Sequence, residues 1–108
     1  MKTGAKWAAL LVCATLMFPA GWTFAKDPSS GEKLFQQHCA ACHPGGGNII
    51  KADFTLNKKD REAHGVKTAK DIVEKMRNPG PGMTRFDKKT ISDSQAKEIA
   101  EYILKTFK

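Results

Sequence analysis

Two thiols and an imidazole, Cys39, Cys42 and His43, fall within five positions of this chain, and three consecutive glycines follow in "HCAACHPGGG". Three chemistries use such a cluster: a redox-active disulfide, half of a zinc site, or the covalent tether of a haem. Zinc takes four N or S donors, usually from two such pairs, and no second cysteine pair follows. A thioredoxin-like pair belongs after a strand in a βαβ unit, and no strand pattern precedes Cys39; that reading also leaves His43 without a task. A structural disulfide between Cys39 and Cys42 is the plain alternative.

C-x-x-C-H is the attachment pattern of c-type haem, and each position has a physical reason. Cysteines three apart at a helix end project from one face, so both reach the two vinyl groups on one porphyrin edge as thioethers. His43 is then held against one face of the ring with one nitrogen available to iron. Its other nitrogen needs an acceptor, expected to be a backbone carbonyl in the following loop.

The second axial ligand commonly is a methionine thioether, and four side chains compete for the place: Met83, Met76, His64 and His38. His38 is tied too closely to Cys39 to reach across the ring, and reads as a surface or edge-packing residue. Met76 shares a helical face with Ile72 and Val73, which packing explains. His64 stands beside a helix stop in a charged segment and reads as a solvated side chain or a C-terminal cap. Met83 lies 40 positions after His43 in "NPGPGMTRF", a loop stiffened by Pro79 and Pro81, and is the expected ligand.

Helices must position these groups, since no strand-like alternation of any length occurs. Ser29-x-x-Glu32 is a capping box opening a helix with Gly31, Leu34, Phe35 and His38 on one face, and this helix runs into the cysteines. A short polar helix follows Asn57 and stops at Gly65. Thr68-x-x-Asp71 opens "AKDIVEKMR", which Pro79 ends. Ser92-x-x-Gln95 opens the last helix, striped by Ala96, Ile99, Ala100, Ile103, Leu104 and Phe107. The expected architecture is all-α: three principal helices, one short one, and two long connections over 44–56 and 78–91. Loops of that length in so small a chain are expected to wrap something.

The chain has 108 residues, with room for one domain. Lys2 and Lys6, an apolar run from Trp7 to Phe18 and the small-residue ending Thr23-Phe24-Ala25 have the order of a signal peptide over 1–25, with the domain over 26–108. The run is too short to span a bilayer, so an exported chain without a membrane span is expected, periplasmic or otherwise exported. The alternative is a lipid anchor at Cys13, in "LLVC", on a membrane facing the periplasm. Loss of Lys2 and Lys6 leaves 16 basic against 11 acidic side chains. Loss of Trp7 and Trp22 leaves no tryptophan, and so thin a core needs a staple, for which a buried cofactor would serve.

With these residues in view, the chain resembles a class I cytochrome c, of the cytochrome c6 or c553 group, over nearly all of 26–108. The resemblance rests on "GEKLFQQHCAACHPGGGNII", "TLNKKDREAHG", "PGMTRF" and "IAEYIL". It implies that Gly31 and Phe35 pack against Ile99 and Tyr102 of the last helix, and that Gly45-Gly46-Gly47-Asn48 forms a turn beside the haem. The chain departs from the usual Met-Pro-x-Phe motif with Met83-Thr84-Arg85-Phe86. Arg85 pairs with a haem propionate or faces water.

The expectation is an exported monohaem carrier of single electrons, with one covalent haem c held by Cys39 and Cys42 and its iron held by His43 and Met83. The chain is expected to be a monomer meeting redox proteins with acidic docking surfaces, steered by the 13 lysines that remain after cleavage, with no nucleic-acid partner. The alternative from another class is a haem sensor binding NO or CO at a labile Met83 position. Enzymatic, peroxidase-like activity is not expected: it wants a distal acid or base beside open iron, and His64 alone could be offered.

Overall fold

The computed structural model describes residues 29–108, with Gly4 alone ahead of them, so the expected signal peptide, its cleavage point and Cys13 lie outside the described residues. Four α-helices follow one another: α1 (Ser30–His38), α2 (Lys58–Ala63), α3 (Ala69–Arg77) and α4 (Asp93–Thr106). Among the described residues there is no strand. One short 3-10 turn, Pro44–Gly46, lies in the first long connection, overlapping the turn that the resemblance implies over 45–48.

The helices begin where their capping residues stand. Thr68 and Ser92 form complete capping boxes, each side chain accepting from the backbone three residues on while Asp71 and Gln95 return the bond. At α1 the Ser29 hydroxyl accepts from the Glu32 N–H at 3.2 Å. The return bond found at the other two boxes is not made there, so the cap expected of Ser29 is half formed. α2 starts after Asn57, whose own side chain does not cap it; Thr55 braces the entry to the helix, accepting from the Asn57 N–H at 3.2 Å and donating to Asp60. Gly65, at φ 75°, stops α2 in the left-handed conformation.

Packing centres on α4, against which α1 and α3 both lie. Its stripe buries Ala96, Ile99, Ala100 and Ile103 together with Phe35, Ile72, Met76 and Ile91. Gly31 lets α1 approach: a β-carbon there would collide with the Glu98 carbonyl and come within 3.0 Å of Tyr102 Cβ. One turn on, the Phe35 ring meets Tyr102 and Phe107 at centroid distances of 5.3 and 5.4 Å. The 3-10 turn joins the same cluster, since Gly46, at φ 83°, lies flat under the Phe107 ring where no side chain fits.

Candidate cofactor site

The end of α1, the two long connections and the inner faces of α2 and α3 leave a cavity of about 240 Å³ between them. Cys39, Cys42, His43 and Met83 all line it. Burial of Cys39, and secondly its neighbour Cys42, push the Cys39 thiol up to about 11. A thiol kept protonated at neutral pH is a poor attacking nucleophile.

The turn after the cysteines orients His43. Its backbone N–H donates to the Cys39 carbonyl at 2.9 Å, and its Nδ1 lies 2.7 Å from the Gly47 carbonyl. A carbonyl only accepts, so Nδ1 carries the proton and Nε2 keeps a free lone pair. Gly47 is itself held, donating to the Pro44 carbonyl at 3.0 Å. Asn48 then organises the rest of the connection: its Oδ1 accepts from the N–H groups of Ile50 (2.9 Å) and Lys51 (2.8 Å), and its Nδ2 donates to the Phe54 carbonyl at 3.0 Å.

The second connection reaches the cavity through Gly80, Pro81, Gly82 and Met83. Gly82, at φ 93°, lies against Ile50 and joins the two connections at the cavity edge. The other three ligand candidates line the same cavity but are engaged elsewhere. Met76 is 3% exposed in the core. His38 is edge-on to Phe86 at 6.1 Å between ring centroids, the edge packing expected of it. His64 caps α2, stacks on Phe54 and directs Nε2 to the Asp53 carbonyl at 3.2 Å. Met83 is 37% exposed and stands outside the packed core. Arg85 is exposed and is not among the lining residues.

A residue that sequence periodicity does not single out dominates the cavity's charge. Arg61 lies on the polar helix α2 yet is 5% exposed, with Nε donating to the Leu56 carbonyl (2.7 Å) and Nη2 to the Phe107 carbonyl (3.2 Å). Among the described residues no carboxylate pairs with it. Lys51 and Lys75 are the other cationic lining residues, and no Asp or Glu lines the cavity. A buried cation facing a carboxylate-free space calls for an anion. Ile50, Phe54 and Met83, three of the large exposed apolar side chains, border the same space. An apolar plate with anionic substituents, tethered at thiols, is the shape and charge these walls fit, and haem is such a plate.

Fold and cavity define a small class I cytochrome c, and known proteins agree. The family model for cytochrome c oxidase, cbb3-type, subunit III matches residues 26–103. Cytochrome c6 of Synechococcus sp. (strain ATCC 27167 / PCC 6312) is 35% identical over 98 residues, 87% of each chain. Cytochrome c6 of Gloeothece citriformis is 33% identical over 102 residues, 92% of each. Among solved structures, the outer membrane cytochrome OmcF of Geobacter sulfurreducens is 44% identical and superposes with a TM-score of 0.71, covering 72% of this chain and 99% of its own. The chain belongs to this c-type cytochrome family, in its class I cytochrome c6/c553 group. Its cofactor is accordingly one covalent haem c, and its role that of an electron carrier and not of an enzyme.

Proposed function

We propose that residues 26–108 form an exported monohaem carrier in which Cys39 and Cys42 are the thioether anchors and His43 and Met83 the axial ligands. The observation that carries the reading is the 2.7 Å bond from His43 Nδ1–H to the Gly47 carbonyl, which frees Nε2 as a donor to iron at a cavity that Met83 also lines. When bound, the haem supplies a one-electron iron couple. His43 Nε2 and the Met83 thioether would hold the iron, and with both bound the metal would have no place for water or a small ligand. Arg61 would neutralise an anionic substituent of the bound group, while Ile50 and Phe54 would give it apolar surface to lie against.

Export after cleavage behind Ala25 agrees with the thiol chemistry, because an oxidising compartment preserves thiols best when they are capped. Lysines steer monomeric encounters with acidic partners in a salt-sensitive manner. The similarity to an outer membrane cytochrome keeps lipid attachment at Cys13 as the second form of export.

Two measurements test the reading. Mass spectrometry of protein matured in a competent host is expected to show the polypeptide from residue 26 plus one haem, lost in the Cys39→Ala/Cys42→Ala variant. The reduced protein is expected to refuse carbon monoxide. Rapid binding would instead support a sensor with a labile Met83.

A further inference from the structure

The loop that carries Met83 has little internal support. Its own backbone bond is a long one, Met83 N–H to the Gly80 carbonyl at 3.4 Å, and Thr84 leaves φ free where a proline would lock it. The loop is instead closed at its base. The Phe86 N–H donates to the Met76 carbonyl at 2.9 Å, and Arg77, the last residue of α3, reaches over the same junction. Its Nη1 donates to the carbonyls of Phe86 (3.1 Å) and Ile91 (2.9 Å), and its Nη2 to Asp93 Oδ1 (2.9 Å). One planar fork thus ties the end of α3, both sides of the segment 86–91 and the first turn of α4. Nε is buried with no partner among the described residues, so the fork is oriented toward its three acceptors at the expense of that N–H.

We propose that Arg77 is a positioning residue for the axial methionine: by pinning the Phe86 and Ile91 carbonyls it fixes where the 78–85 loop stands, and so how firmly Met83 stays on iron. The proposal rests on the reading of Met83 as a ligand. Residues 78–85 leave and rejoin the fold at Arg77 and Phe86, so loosening that junction frees Met83 without unpacking the helices. A tie serving only to join α3 to α4 would act on helix stability alone.

The test uses the ferric holoprotein and imidazole, which competes with the thioether for iron. Loss of the red absorption band of sulfur ligation reports displacement, and far-ultraviolet dichroism reports the helices. Arg77→Lys keeps the charge but cannot span three acceptors. It is expected to bind imidazole about tenfold more tightly, the factor to which one charge-assisted hydrogen bond corresponds, at a temperature where the helical dichroism is the same as that of the unsubstituted protein. Asp93→Asn, which removes the exposed anion and leaves both carbonyl bonds, is expected to give a smaller rise and covers the case in which Arg77→Lys does not fold. Imidazole affinity unchanged in these variants, or rising only as helix is lost, would overturn the proposal. Absence of the sulfur band from the unsubstituted protein would overturn the Met83 assignment itself, and the proposal with it.

Discussion

Gly31 of α1 lies so close to the Glu98 carbonyl of α4 that a β-carbon would overlap it. The two helices cross at this point, one turn before Phe35 reaches the rings of Tyr102 and Phe107. Because the obstacle is backbone, no side-chain rotation can relieve it. Gly31→Ala is therefore expected to cost about 2 kcal/mol or more, read as a lower denaturant midpoint at unchanged slope.

Met83→Ala is expected to remove the sulfur band from the ferric spectrum and to lower the reduction potential, since a thioether stabilises the reduced iron. Voltammetry and absorption of the purified holoprotein check both. Met76→Leu is the control: Met76 is buried beside Ile72 in the core, and a near-isosteric change there should leave the band in place.

Arg61 joins α2 to the chain's end by donating to the Phe107 carbonyl, 46 residues away. Arg61→Met keeps the volume of the stem but strands the Leu56 and Phe107 carbonyls and removes the cavity's buried cation. A loss of about 2 kcal/mol in holoprotein stability is expected, with faster hydrogen exchange at the Phe107 amide, whose bond to the Ile103 carbonyl closes α4.

Three carboxylates should make stability fall in acid. The backbone N–H groups of Lys67 and Thr68 hold Asp71 below the ordinary aspartate value of 3.8, the Thr90 N–H does the same for Asp87, and the Arg77 guanidinium for Asp93. Each binds its proton less readily folded than unfolded. Their contribution is therefore complete above pH 3.8 and is lost as pH falls from there through the folded values. Melting temperature is expected to drop across that window, less steeply in Asp71→Asn, which thermal melts in a pH series would show.

The helices were legible because their signals are local. Thr68 with Asp71 and Ser92 with Gln95 announce α3 and α4 within four residues, and Gly65 ends α2 by its own backbone freedom. The half-formed box at Ser29 shows the limit of that reading: the pattern was present, but only one of its two bonds formed. The resemblance implied a turn at Gly45 and Gly46, whereas the Phe107 ring lying over Gly46 is a tertiary contact that no local pattern gives.

What the sequence alone determined is the chemistry available: two thiols and an imidazole at helix-end spacing, a methionine in a proline-stiffened loop, and a striped last helix. Each follows from neighbours within a few positions, where covalent connectivity already dictates geometry. Only the tertiary structure decided that these groups border one cavity, that Arg61 is buried in its wall, and that Arg77 closes the Met83 loop. Those relationships join residues up to 46 positions apart, and no local pattern encodes which carbonyl a guanidinium will meet once the chain has packed.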